Sequence, residues 1–376
     1  VPDNLPPPVA PPPGGPRRRR RWWHPVVAVA GALIGLVLLA AVVPVERYAL
    51  APGDVAPVEP RVNVDDSVTT YDSDGEVLFV TVKLPRLSLL GWLVAALDPD
   101  VEVKTREELF GDQTREENRE QNLKRMGYSK ELASYVALSR LGYDVVVEGG
   151  GPVIGSLCLE VAADGTSCAR AAPADEELDP GDAIVELDGQ PIHLLDDLAA
   201  VLAERAPGDV IPVTYVRGGD RVEAEITLTE ADDGRTIVGF LPTDTFIEDV
   251  AFQLPFGVEI DSGEVGGPSA GLAFTLTLLD LLTPGSLTGD LQVAATGEIL
   301  VDGRVGPIGG LHQKTTAVGE TDADVFLVPA DQVDQALAEA AGTDLRVVPV
   351  RTLDEALDVL KDLGGDVSGI PDLEAA

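Results

Sequence analysis

The longest apolar run lies near the start of the chain: from Pro25 to Val45 no residue is charged, and most are Val, Ala, Leu or Ile. Its twenty-one residues, at about 1.5 Å rise each, reach about 31 Å, which predicts a transmembrane helix over 25–45. Residues 46–110 mix short β-like runs, such as Val77–Val82, with Pro, Gly and Asp, and predict an irregular β segment. Over 114–142 the period turns helical. Thr114 and Glu117 form a capping-box pair, Gly127 interrupts the pattern, and Ser129 can cap a second helix along Leu132, Ala133, Val136, Ala137 and Leu141, with Gly142 ending it. Over 143–232 short strands return. Ala183–Leu187 leads into an Asp188-Gly189 hairpin turn, a helix follows from about Leu194 to Arg205, and Val210–Val216 and Val222–Leu228 flank Gly218-Gly219. Farther on, a strand over Phe256–Ile260 precedes Gly266-Gly267-Pro268-Ser269-Ala270-Gly271, and an apolar run from Leu272 to Leu282 begins at once.

Charge divides this pattern in two. The chain of 376 residues has 64 acidic against 27 basic side chains, a formal net charge of −37. Such a balance argues against a general nucleic-acid binder, because phosphates need a basic surface. Residues 1–24 run the other way. They hold five consecutive arginines, Arg17–Arg21, against Asp3 alone, then Trp22 and Trp23 at the edge of the apolar run. By the positive-inside rule this end stays in the cytoplasm, with the tryptophans at the membrane interface. Eight prolines in residues 1–16 read as a disordered or polyproline-II tail. The alternative is a cleaved signal peptide, with Ala49–Ala51 as the small-residue cleavage site. Either way residues 46–376 are expected outside the cytoplasm, where Cys158 and Cys168 either form a disulfide around Asp164-Gly165 or remain two free thiols. His24, His193 and His312 are not at ligand spacing, so neither metal nor cofactor is expected.

The chemistry concentrates in two short, nearly neutral stretches. Small residues around Ser269 leave its hydroxyl uncrowded and expose backbone N–H groups near Gly267 and Ser269, suited to an oxyanion at a helix N-terminus. The bland alternative is that Ser269 simply caps the helix. A serine that attacks a carbonyl needs a base. In Gly303–Val318, glycines 306, 309 and 310 allow a tight turn before a helix carrying Lys314, and a lysine in a partly apolar pocket loses solvation until its pKa nears neutrality.

Two resemblances follow from these residues. The stretch "GDAIVELDGQPI" and the element order around it resemble a PDZ domain, with its carboxylate-binding loop near Gly149–Gly155. That resemblance implies binding of extended peptide ends, and a plain β spacer is the alternative. "GGPSAG", "ATGEILVDGRVGPIGGLHQK" and the 45-residue separation of Ser269 and Lys314 resemble the proteolytic domain of the Lon family. The likeness extends through a strand–helix–strand–helix tail over Val325–Val328, Asp331–Ala341, Leu345–Val350 and Leu353–Leu360. It implies Ser269 as nucleophile, Lys314 as general base and then general acid, Thr296 as the hydroxyl that holds the lysine, and assembly into a homo-oligomeric ring. Many Lon enzymes have an acidic residue where this chain has Gly266. No Gly-Lys dipeptide occurs in the chain, so the Walker A pattern is absent.

The whole resembles bacterial membrane-anchored, PDZ-containing Lon-like proteases. The fold class expected is α+β multidomain: a Pro/Arg-rich cytoplasmic tail (1–24), a transmembrane helix (25–45), a membrane-proximal β/helical region (46–142), a PDZ-like domain (143–232), a Lon-type proteolytic α/β domain (240–362) and a C-terminal tail (363–376). The function expected is ATP-independent serine endopeptidase activity on extracytoplasmic proteins or peptides, with the PDZ-like domain either recruiting them or gating the site, and with no nucleic-acid partner. The alternatives are an inactive peptide-binding scaffold and an enzyme that processes only itself.

Overall fold

The computed structural model describes residues 23–111, 113–148, 150–161, 168–231, 234–242 and 251–371. Residues 1–22 of the tail, the Asp164-Gly165 turn and residues 372–376 lie outside them. Helix α1 (Trp23–Val42) forms on the apolar run but stops ahead of Pro44, which lacks the N–H that another turn requires. Pro44–Pro57 is instead a strand. The spanning helix expected over 25–45 is therefore corrected: among the described residues no helix is long and apolar enough to cross a membrane. The apolar side chains of α1 are nonetheless exposed, as at Leu36 and Leu38.

A seven-stranded sheet carries the site. Its parallel part runs Arg346–Val350, Val325–Pro329, Gln292–Ala295 and Glu76–Lys83 in spatial order, with Val77 opposite Val293 and Leu78 opposite Ala294. Glu76–Lys83 then pairs antiparallel with Pro44–Pro57, which also takes Arg86–Ser88 and Glu102–Thr105. All five residues of Val325–Pro329 are buried, as a near-continuous apolar strand between two layers requires. The short helices α2 (Leu89–Ala95) and α3 (Arg106–Phe110) lie among the antiparallel strands.

Helix α4 (Arg115–Arg140) starts at the Thr114–Glu117 capping box, and it is one helix where two were expected. A glycine inside a helix costs about 1 kcal/mol, which burial of neighbouring Met126, Leu132, Ala133 and Val136 outweighs. Nor does the region 46–142 stand apart. Val58, Val77, Phe79, Met126 and Leu132 share one core with Leu272, Phe274 and Leu279.

Along the chain, between the two stretches that build that core, comes a second and separate one. Ile154, Leu178, Ile184, Leu187, Ile192 and Ile226 pack together under a sheet ordered Gln190–Pro191, Ala183–Leu187, Val210–Arg217 and Asp220–Thr227. Helix α5 (Leu195–Leu202) covers it, and Cys158 and Cys168 are joined in a disulfide with their Cα atoms 5.6 Å apart. The chain leaves for this unit along Val146–Glu148 and returns along Ala251–Gln253. These strands pair antiparallel with Glu148 opposite Ala251, so the unit is an insertion in the larger domain. Beyond it come α6 (Gly271–Leu282), α7 (Leu311–Gly319), α8 (Val333–Glu339) and α9 (Leu353–Asp362). The last two alternate with parallel strands, as the tail pattern predicts.

Candidate active site

Ser269 lies in the turn just ahead of α6. The plain-cap alternative does not hold for it, because the N-cap position is Ala270 and carries no side-chain cap. Each small residue around it has a local cause. Gly267 adopts φ +89°, a conformation that costs other residues about 1–2 kcal/mol. A Cβ on Gly266 would sit 2.9 Å from Cβ of Asn122 on α4. The serine backbone is pinned in turn by the next motif. Its carbonyl accepts from the Gly297 N–H at 2.9 Å and from the Thr296 hydroxyl at 3.1 Å.

Lys314 comes from the first turns of α7, which begins at the left-handed Gly310. Its side chain is only 2% exposed. Nζ lies 2.6 Å from Ser269 Oγ and 3.0 Å from Thr296 Oγ1. Because Thr296 spends its one hydroxyl proton on the Ser269 carbonyl, it faces the amine as an acceptor. Burial pushes the Lys314 amine down to about 7, since an ammonium there has lost its water. A neutral Nζ keeps a lone pair for the Ser269 hydroxyl proton, and an ammonium donates back to Oγ. Residues 269, 296 and 314 thus form one hydrogen-bonded group.

The oxyanion donors differ from expectation. The Gly267 N–H is not free, because it donates to the carbonyl of Asn122 at 2.8 Å. Among the described residues the Ser269 N–H has no acceptor. Neither Glu264 nor Asp261 replaces the acid missing at Gly266, for Glu264 pairs with Arg119 and Asp261 is exposed. Helix α4 braces this loop in a way that sequence reasoning missed. Ser129 Oγ donates to the Pro268 carbonyl at 3.1 Å and Lys130 Nζ to that of Ile260 at 3.0 Å. Ser129 was legible only as a cap, because a partner 139 residues away leaves no local trace.

His312, two residues from Lys314, turns to other company. Its Nδ1 is 2.5 Å from Glu339 Oε2. With Asp100 the two form a group whose donor atoms all lie within 4.8 Å of one another, able in kind to hold a divalent cation. Three separate segments supply it, so spacing along the chain could not show it.

Comparison with known proteins locates both units. Residues 248–362 match the Lon protease (S16) C-terminal proteolytic domain, and residues 139–228 match a PDZ domain. A Lon protease of Xanthomonas oryzae pv. oryzae is 39% identical over 114 residues, covering 30% of this chain and 13% of that protein. One from Azospirillum brasilense is 31% identical over 166 residues, covering 43% and 20%. The matched part thus spans a fifth or less of the length of these two relatives. A solved PDZ domain of an SdrC-like protein from Listeria innocua is 27% identical, covering 25% of this chain and 94% of that one, with a TM-score of 0.20. The chain therefore carries a PDZ domain and, following it, the C-terminal proteolytic domain of the Lon protease (S16) family.

Proposed function

We propose that this chain is a serine endopeptidase with a Ser269/Lys314 dyad. The observation that carries the reading is the 2.6 Å contact between Ser269 Oγ and a buried Lys314 amine whose pKa falls to about 7. Neutral Lys314 takes the Ser269 proton as Oγ attacks the peptide carbonyl, and the ammonium so formed returns it to the leaving amine. Water then attacks the acyl-serine, with Lys314 again as the base. The Ser269 N–H is the donor at hand for the oxyanion, and Thr296 keeps Nζ and the serine backbone in register.

The finer parts of the reading concern setting. The uncharged, exposed α1 favours an apolar environment at this end of the molecule, consistent with membrane attachment and a body outside the cytoplasm. There, cleavage proceeds without ATP on unfolded or exposed segments, in a ring of like chains, with the PDZ domain receiving peptide ends. The test is incubation of the full chain with unfolded casein and no nucleotide, beside Ser269→Ala and Lys314→Ala. Cleavage by the wild type alone is expected. Equal cleavage by all three would remove the dyad, and no cleavage of casein or of the chain itself would favour a binding scaffold.

A further inference from the structure

A PDZ domain takes a peptide by strand addition beside its carboxylate-binding loop. In this chain the strand in that place is Ile154–Ser156, and both of its edges are taken. On one side the Ile154 N–H donates to the Asp182 carbonyl at 2.8 Å, and the Gly181 N–H donates to that of Ile154 at 2.7 Å. On the other side Leu241–Pro242 pairs antiparallel with it, Leu241 opposite Ser156 and Pro242 opposite Ile154. The second partner is the chain itself, just beyond residue 228, where the PDZ match ends.

The approach to that strand is held as firmly. Thr236 Oγ1 donates to the Arg205 carbonyl at 2.9 Å. Val238 is 2% exposed and belongs to the PDZ core, with Phe240 packed against it. Gly239, at φ +94°, passes so close that an added Cβ would lie 2.6 Å from Cβ of Ala172. Between α5 and this segment remains a cavity of about 540 Å³, lined by Leu198, Leu202, Ile237 and Phe240 among others. Apolar side-chain space is thus available while the backbone edge beside it is occupied.

We propose that residues 236–242 are an internal ligand of the PDZ domain, and that a partner's peptide with an apolar, free C-terminus enters only by displacing them. The α5 face that remains, with Leu198 and Leu202, selects the side chain, and the vacated edge of Ile154–Ser156 receives the peptide backbone. What leaves is the segment that joins the PDZ domain to the proteolytic domain, so peptide capture frees that junction. The proposal rests on the reading of the PDZ domain as a peptide receiver and is independent of the dyad.

The probe is a fluorescent seven-residue peptide ending in valine with a free carboxylate, titrated into the full chain and followed by anisotropy. Three forms are compared: wild type, the loosened variant Val238→Ser/Phe240→Ser, and Ser156→Cys/Leu241→Cys oxidised so that the segment is locked to the strand. We expect the loosened form to bind at least tenfold more tightly than wild type and the locked form not to bind. Reduction should return the locked form to the affinity of wild type treated with the same reductant. Equal affinity in all three would overturn the internal ligand while leaving peptide reception intact. A probe that binds none of them would overturn both. If the loosened form fails to unfold cooperatively, the locked form decides: binding unchanged by the lock overturns the proposal.

Discussion

Lys314 sets the pH behaviour at the scale of a single side chain. Its folded pKa of about 7 lies below the ordinary 10.5, so between those values the unfolded chain binds the extra proton. Stability therefore rises with pH across that window and is flat below it, where the full cost of a buried ammonium is carried. Activity should rise through about pH 7 as the amine becomes neutral, visible as a single ionisation in kcat/KM. Lys314→Met should abolish cleavage yet stabilise the fold by about 1–4 kcal/mol at pH 6, because an apolar side chain replaces an unpaired buried cation. That gain should shrink by pH 9.5, and urea midpoints at the two pH values measure it. Thr296 acts through its neighbours. Thr296→Val removes one of two partners from Nζ and one of two donors from the serine carbonyl, about 0.5–1.5 kcal/mol for each hydrogen bond lost. We expect kcat to fall about 100-fold with the pH midpoint moved, and Thr296→Ser to restore both.

At the scale of elements, the site stands on α4 as much as on α6 and α7. Ser129→Ala would remove one of two donors to the Pro268 carbonyl, leaving the Gly271 N–H at 3.1 Å, one residue from Ser269. The expected cost is about 0.5–1.5 kcal/mol of stability, seen as a lower urea midpoint, with reduced kcat and little change in KM. The contact between Ser269 and Lys314 was legible because each partner sits in a short run of small residues whose pattern is local: a turn before an apolar helix, and glycines before another. The brace was not. Ser129 read as the cap of a second helix because Gly127 weakened the pattern, and only burial against α6 keeps α4 continuous. The Gly267 N–H was misassigned for the same reason, since the Asn122 carbonyl that holds it belongs to a helix far away in the chain. Turn chemistry is written in neighbours, whereas a bond between remote segments is written only in the fold.

The same distinction governs the whole molecule. Sequence order set out the regions before, within and after the PDZ segment as separate units, but pairing joins the outer two. Gln292–Ala295 lies between Val325–Pro329 and Glu76–Lys83, and Val293, Ala294 and Ala295 are fully buried. A fragment starting at residue 240 would expose that strand as a bare apolar edge, which favours aggregation over folding. The inserted unit, by contrast, has a core of its own and enters and leaves through one antiparallel pair. With Glu148 directly opposite Ala251, a two-residue Asn-Gly turn is the natural closure for those strands. Replacing residues 149–250 by Asn-Gly should therefore leave a soluble chain that unfolds cooperatively in urea and still cleaves unfolded casein through Ser269. The fragment from 240 onward should do neither until residues 44–148 are co-expressed with it. Should the Asn-Gly chain lose cooperative unfolding, the PDZ unit would have to be counted as part of the protease core. Should it fold without activity, the inserted unit would be needed for cleavage itself, beyond any part in receiving peptides.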